Sequence, residues 1–346
     1  MTTVAHEHVL AAARRIDGFA LRTPVLEISP GLFFKLELLQ HSGSFKVRGA
    51  FNRILSAGEL PAGGVIAASG GNHGLAVAYA ARKLGVRAEI FVPEVTSPVK
   101  VAGLEALGAH ITQTGAIYAE AAEAAAKRAA ETGALTVHAY DQPEVIAGQG
   151  TTGLEVVEQT GGVDTVVVAV GGGGFAAGVT LGTESTADRA GRPGTADMSG
   201  TEGSAGMPGA PGPVGSPGSA AGVSGAGPRI VAVEPERIPT LRAALQAGRP
   251  VPVEVSGVGA DALGATKIGG LAFEILSGPR VESVLVTDAA IVAARRALWQ
   301  RHRIAAEPAG AAAYAALLSG VYTPSPGERV AVIVCGSNTD PATLAV

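Results

Sequence analysis

Short apolar runs alternate with alanine-rich stretches along most of the chain. The apolar runs at 64–68, 88–92, 109–113, 134–138, 165–170, 229–233, 282–286 and 329–334 predict strands. The alanine-rich stretches at 3–17, 46–57, 73–84, 97–107, 116–132, 240–247, 288–302 and 309–319 predict helices. Alternation of the two implies an α/β fold of parallel sheets covered by helices. Such sheets bind ligands outside the C-terminal ends of their strands, so the turns that follow strands are the candidate binding segments.

Residues 184–228 break the pattern, with twelve glycines, six prolines and no aromatic residue. Glycine falls at every third position from Gly200 to Gly218, which admits two readings: a collagen-like segment, or a disordered low-complexity surface insertion. Seven triplets tethered at both ends within one domain cannot readily pair with two other chains, which favours the insertion. Loop-closure entropy grows only logarithmically, so an insertion of this length costs the fold little.

The composition changes the picture mainly by exclusion. At 346 residues and 47% hydrophobic, the chain can bury one large core or two modest ones. A net charge of −4 without a basic cluster argues against nucleic acid, and no apolar run reaches the length of a membrane helix. The N-terminal segment is interrupted by Arg14 and Arg15 rather than opening as a signal peptide, and a single cysteine excludes an internal disulfide. Both point to a reducing cytoplasm.

Lys46 lies in Ser42-Gly-Ser-Phe-Lys-Val-Arg-Gly49, between small residues and beside an aromatic ring, in a chain with six lysines against twenty arginines. A lysine buried in such a place loses solvation of its ammonium form, so its pKa falls and the amine becomes a usable nucleophile. An arbitrary lysine is an ordinary solvated surface group. Three further motifs weigh against that reading here. Ala68-Ser-Gly-Gly-Asn-His-Gly74 follows a strand run and opens a helix, where free amides attract an anion, and a plain connection has no use for Asn72. Thr165-Val-Val-Val-Ala-Val-Gly-Gly-Gly-Gly174 runs a buried-type strand into four glycines, which let the backbone approach a phosphate; it lacks both the Walker loop and the dinucleotide spacing. Val330-Ala-Val-Ile-Val-Cys-Gly-Ser-Asn338 ends another such strand on Cys335, which in isolation reads as a small buried hydrophobe.

In this order and at these distances the motifs resemble the fold-type II pyridoxal-phosphate enzymes, in the serine/threonine dehydratase (threonine ammonia-lyase) and serine racemase branch. The resemblance includes Arg22-Thr-Pro24, Lys35-Leu-Glu-Leu-Leu-Gln40, Pro93-Glu94, Val99-Lys-Val-Ala102, Leu107-Gly-Ala109, Val145-Ile-Ala-Gly-Gln-Gly150, Val233-Glu-Pro-Glu236 and Glu307-Pro-Ala-Gly-Ala311. It covers most of the chain outside 184–228. It implies a two-domain fold similar to that of tryptophan synthase β, with 1–59 and 144–346 forming a large cofactor domain. Residues 60–143 would form a smaller substrate-side domain, the active site lying between the two. It also implies pyridoxal 5'-phosphate as cofactor, an amino acid as substrate, and a homodimer or higher homo-oligomer.

Carried over position by position, Lys46 matches the lysine that binds the cofactor aldehyde and then acts as general base, and Phe45 the residue packed on the ring face. Gly171, Gly172, Gly173 and Gly174, with the amide of Phe175, match the phosphate turn. Asn72 matches the partner of the phenolic oxygen, and Cys335 the neutral group facing the pyridine nitrogen. A neutral group there stabilises the substrate carbanion less than a carboxylate would, which favours prompt loss of a β-leaving group over transamination. The loop Ser69, Gly70, Gly71, Asn72 and His73 would hold the substrate carboxylate, helped by Gln149, with His73 a structural side chain rather than a catalytic base.

Two departures narrow the reading. Serine racemases place a serine two residues before the asparagine as the second acid/base; Gly70 stands there and has no proton to give, so elimination is favoured over racemisation. The divalent-cation site of racemase-like members matches Glu234 and the Ile238 carbonyl, but Thr240 occupies the acidic place, leaving Glu234 a weak candidate that could equally cap a loop. The chain stops eight residues after Asn338, which leaves no room for the regulatory domain of biosynthetic threonine dehydratases and suits a catabolic role.

The implied activity is dehydration of L-threonine or L-serine to a 2-oxo acid and ammonia, with another β-hydroxy amino acid such as 3-hydroxyaspartate as the alternative substrate and serine racemase as a weaker one. From other classes, a nucleotide-binding oxidoreductase explains the glycine turn but leaves Lys46 and Asn72 without a role. A non-catalytic binder that retains the fold stays open as well.

Overall fold

The computed structural model describes residues 4–184 and 227–344. The insertion reading for 184–228 therefore falls, apart from its ends, outside the described residues. Helix α1 (His6–Ile16) leads into the strands β1 (Val25–Ser29) and β2 (Leu32–Lys35), then α2 (Lys46–Ser56). A run of alternating units follows: β3 (Val65–Ala68), α3 (Asn72–Lys83), β4 (Ala88–Val92), α4 (Pro98–Glu105), β5 (His110–Gln113), α5 (Tyr118–Thr132) and β6 (Leu135–Thr136). Next come α6 (Pro143–Thr160), β7 (Thr165–Ala169), α7 (Gly174–Gly182), β8 (Arg229–Pro235), α8 (Thr240–Ala247), α9 (Ala260–Leu263) and α10 (Gly270–Leu276). The chain closes with β9 (Val281–Val286), α11 (Asp288–His302), α12 (Pro308–Leu318) and β10 (Val330–Ile333).

Two sheets result. One has four parallel strands in the order β5-β4-β3-β6. The other has six, in the order β1-β2-β10-β7-β8-β9, parallel except for the β1–β2 pair at its edge. Every residue of β7 and β10 is buried, as continuous apolar runs of a parallel sheet require. A separate core forms around the four-stranded sheet, and it recruits Val47, Phe51 and Ile54 from α2 and Val145 from α6. The helix that carries Lys46 therefore packs into that core while its first residue faces the cavity described below.

All eight expected strands and all eight expected helices are present, with ends shifted by up to three residues. Outside these ranges lie the β1–β2 hairpin and the helices α6, α7, α9 and α10. The β1–β2 hairpin lies on the sheet edge with most of β1 half-buried or exposed, so its apolar run is broken; its signal is the Pro30-Gly31 turn. Helix α6 was hidden by its glycines and threonines, which are poor helix formers. Their reason is contact: a Cβ on Gly182 of α7 would lie 2.0 Å from the Gly150 carbonyl oxygen of α6, so small residues let the two backbones meet. The short helices α9 and α10 are too brief to show a period.

Candidate active site

Four helices start at one place. Lys46 is the first residue of α2, Asn72 of α3 and Gly174 of α7, while Glu307 immediately precedes Pro308, the first residue of α12. Strands β3, β7 and β10 end there too, so Ala68, Ala169 and Cys335 border the same space. First-turn amides have no partner inside their helix and carry the positive end of the dipole, which suits an anionic ligand.

The space is divided in two. A small inner cavity of about 40 Å³ is lined by Phe45, Lys46, Asn72, the Gly171–Phe175 turn, Glu307 and Cys335. A larger outer cavity of about 560 Å³ is lined by Lys46, the Ser69–His73 loop, Thr96, Lys100 and Asp261. Lys46, Asn72, Tyr140 and Gly172 border both. One amine thus reaches a small chamber on one side and a larger one on the other.

The Lys46 amine donates to the Ala139 carbonyl at 2.7 Å. Burial lowers its pKa to about 8 against the opposing pull of nearby acidic groups, among them Glu307, so a neutral amine is accessible near physiological pH. Burial pushes the Cys335 thiol above its ordinary range, leaving it protonated and neutral. The Phe45 ring stacks on Phe175 with centroids 3.8 Å apart, closing one wall. In the glycine turn, Gly173 holds φ +86°, a left-handed conformation costly for any residue with a Cβ. The turn's carbonyls are committed: Gly171 accepts from the Thr240 hydroxyl at 2.6 Å, Gly172 from the Gly269 amide at 3.0 Å and Gly173 from the Ala177 amide at 2.9 Å. The amides of Gly174 and Phe175 open α7 and have no acceptor within the helix, so they can meet an anionic ligand.

The structure brings together Phe45, Lys46, Asn72, Gly171 to Gly174, Phe175 and Cys335 in the inner cavity, and Ser69, Gly70, Gly71, Asn72 and His73 in the outer one. His73 turns its Nε2 to the Val137 carbonyl at 2.9 Å, and burial lowers its pKa to about 3, so its ring is a neutral structural element. Gln149 stands elsewhere. It is buried in the α2–α6 contact, where a Cβ on Gly49 would lie 2.6 Å from its Nε2, and it is not among the residues lining either cavity. Glu234 accepts hydrogen bonds from the Leu241 and Arg242 amides at 2.6 and 2.9 Å, so it caps α8, and the Thr240 oxygen stands 3.0 Å from the carboxylate. No cluster of three metal-ligating side chains occurs among the described residues.

Five further residues of the site, Glu307, Asn338, Tyr140, Lys100 and Asp261, have no role that sequence reasoning assigns. Asn72 donates to Glu307 Oε1 at 2.6 Å, and Asn338 donates to Asn72 Oδ1 at 2.6 Å. Tyr140 lies over the glycine turn, where a Cβ on Gly172 would come within 2.3 Å of its ring. Lys100 of α4 pairs with Asp261 of α9 across the outer cavity. Glu307 and Lys100 sit in motifs that carried the resemblance, but their roles depend on partners more than 150 residues distant.

Residues 16–210 and 212–336 match the family model described as pyridoxal-phosphate dependent enzyme. The chain belongs to that family. Among curated proteins it is 34% identical to the L-threonine ammonia-lyase of Thermotoga maritima, over 96% of this chain and 75% of that protein. It is 32% identical to an L-threo-3-hydroxyaspartate ammonia-lyase of a Pseudomonas species, over 98% of this chain and 97% of the relative. The solved structure of maize serine racemase superimposes with a TM-score of 0.81 at 28% identity, covering 99% of this chain and 96% of that one.

Pyridoxal 5'-phosphate is accordingly the cofactor of this enzyme. The residues present fit it: a depressed amine for the aldehyde, a glycine turn that opens the first-turn amides of α7 toward the phosphate, and a buried neutral thiol within the same cavity. This member of the family has no described helix long and apolar enough to cross a membrane.

Proposed function

We propose that the enzyme is a dehydratase of L-threonine and L-serine, eliminating water from a β-hydroxy amino acid to give a 2-oxo acid and ammonia. The observation that carries this reading is the position of Lys46, whose amine borders both the cofactor-side cavity and the Ser69–His73 loop. Pyridoxal phosphate, bound through Lys46, supplies an electron sink for the carbanion at the substrate Cα. The chain does the rest. The Gly171–Gly174 turn and the Phe175 amide would hold the phosphate, Phe45 would pack the ring face, and Cys335 would meet the ring nitrogen as a neutral group. The N-terminal amides of α3 and the Ser69 hydroxyl hold the substrate carboxylate beside Lys46. Once free, the Lys46 amine takes the Cα proton. Gly70 offers no group on the opposite side to return the proton there, so the Lys46 ammonium gives it to the β-hydroxyl, which leaves as water.

Dehydration of 3-hydroxyaspartate is the second reading, supported by a relative that carries that name and by Lys100 as a cation on the outer cavity wall. Against it, Asp261 already holds the Lys100 ammonium. We also infer that residues 1–59 with 144–346 act as the cofactor side and 60–143 as the substrate side, that the protein works in the cytoplasm in amino-acid catabolism, and that it is a homo-oligomer. The partly exposed Leu26 on the edge strand β1, with Leu21 and Leu39 exposed nearby in the chain, supports the last point.

Oxo-acid release from a panel of L-threonine, L-serine, phenylserine and 3-hydroxyaspartate tests the reading. Turnover of threonine or serine is expected. Release from none of the four would overturn it.

A further inference from the structure

The Asn72 carboxamide is held at both ends, and the chain of bonds that holds it has a fixed polarity. It starts at the Ser42 carbonyl, which can only accept, and receives the Asn338 amide at 2.8 Å. The same Asn338 nitrogen donates to Asn72 Oδ1 at 2.6 Å. Asn72 Nδ2 then donates to Glu307 Oε1 at 2.6 Å. An ionised carboxylate also only accepts. With acceptors at both termini, neither amide can be turned over without setting two like groups against each other. The chain therefore fixes which way Asn72 faces. Its NH2 group has two hydrogens, and Glu307 takes one.

We propose that Glu307 and Asn338 are positioning residues that clamp Asn72 so that its second N–H is presented to the phenolic oxygen of the cofactor, with Glu307 as the ionisable member. The inference rests on the assignment of Asn72 to that oxygen. Ser42 anchors the chain with φ +58°, a left-handed conformation uncommon for serine, and its own hydroxyl is buried without a partner. The Glu307 carboxylate packs against Gly336, where a Cβ would come within 2.0 Å of Oε1, so a glycine at 336 is what leaves the carboxylate its place beside Asn72.

Glu307 is buried, and burial raises its pKa to about 7, opposed by the hydrogen bond from Asn72. The charged groups acting on it are Asp261 of α9, which raises it further, and Lys100 of α4 and Lys46 of α2, which lower it; Cys335 beside it stays protonated. Above pH 7 the bond from Asn72 ends on a charge and is short and strong. Below it, a proton on Glu307 weakens the acceptor and loosens the clamp.

The test uses the holoenzyme and its visible cofactor band, followed from pH 5.5 to 9, with cofactor affinity measured separately by equilibrium dialysis of pyridoxal phosphate. Glu307→Gln keeps an acceptor for Asn72 but cannot ionise. It is expected to bind the cofactor within about twofold of the unmodified protein while losing the spectral step near pH 7. Asn338→Asp sets a carboxylate against Asn72 Oδ1 and is expected to weaken cofactor binding by about tenfold or more. Thermal unfolding of each variant separates this from misfolding, since Glu307→Gln is isosteric. A step that persists in Glu307→Gln belongs to Lys46 or to the cofactor and overturns the proposal, as does undiminished binding by Asn338→Asp. If the unmodified protein shows no visible band, the cofactor assignment fails instead.

Discussion

Arg48 grips Glu37 through two parallel hydrogen bonds, Nε to Oε2 at 2.8 Å and Nη2 to Oε1 at 2.7 Å. Arg48 lies two residues beyond Lys46 on α2, and its guanidinium also reaches Glu155 of α6 at 2.7 and 2.9 Å. Lys35 of β2 joins the same network through Glu155 at 2.5 Å and the Thr23 carbonyl at 2.7 Å. Two cations and two carboxylates are thus removed from water in mutual contact, and together they tie α2 to α6 and to the edge of the large sheet.

Breaking a buried ion pair from one side leaves the other charge uncompensated. Arg48→Ala should destabilise the fold by about 3–5 kcal/mol in urea unfolding monitored by circular dichroism. The pH dependence has a definite sign. Burial alone would raise the Glu37 pKa, but Arg48 outweighs it and the net direction is down. That stabilisation is complete above the ordinary carboxylate value of 4.5 and is lost as pH falls through the lower folded value. Acid unfolding should therefore be less steep for Arg48→Met than for the unmodified protein.

Lys46 should carry the cofactor covalently. Borohydride reduction of the holoenzyme followed by peptide mapping is expected to place the pyridoxyl group on Lys46 and on no other lysine. Lys46→Ala should lose elimination activity by several orders of magnitude, since one residue serves as both anchor and base. In the cofactor-free protein, covalent uptake of pyridoxal phosphate should quicken as pH rises toward about 8, where the Lys46 amine loses its proton.

With L-serine, pyruvate should form much faster than D-serine, because Gly70 has no side chain to supply a proton. Gly70 is not among the positive-φ residues, so a side chain there is not excluded by the backbone. A Cβ would meet Thr96 Cγ2 at 3.0 Å, which a small shift of Thr96 can accommodate. Gly70→Ser should raise the D-serine to pyruvate ratio, measured by chiral chromatography. Equal rates of the two products in the unmodified enzyme would sink the assignment.

Asp261 neutralises Lys100 on the wall of the outer cavity. Asp261→Asn should release that ammonium and raise kcat/KM for 3-hydroxyaspartate relative to threonine by about tenfold. An unchanged ratio would show that Lys100 does not face the substrate.

Glu234 is a helix cap. Glu234→Ala should lower stability by about 1–3 kcal/mol through the two orphaned amides of α8, while prolonged dialysis against a chelator leaves turnover unaltered. Loss of activity on chelation, restored by magnesium, would return Glu234 to the role of a metal ligand.

The elements were legible in the sequence because each follows from local chemistry: buried parallel strands read as unbroken apolar runs and their covering helices as alanine-rich stretches. The residues around the inner cavity were legible too, since lysine, asparagine, glycine turn and cysteine each end a strand or begin a helix, and such junctions are fixed by short segments. What the sequence left open depends on contact between distant segments. Gln149 was expected beside the substrate, but glycines on two helices bring α6 against α2 and bury it there. The β1–β2 hairpin owes its place to pairing with β10, some 300 residues further on. Glu307 reads in the sequence as one more acidic residue before a proline. Only the meeting of α3 and α12 sets it on Asn72, and only burial at that meeting point raises its pKa into the physiological range.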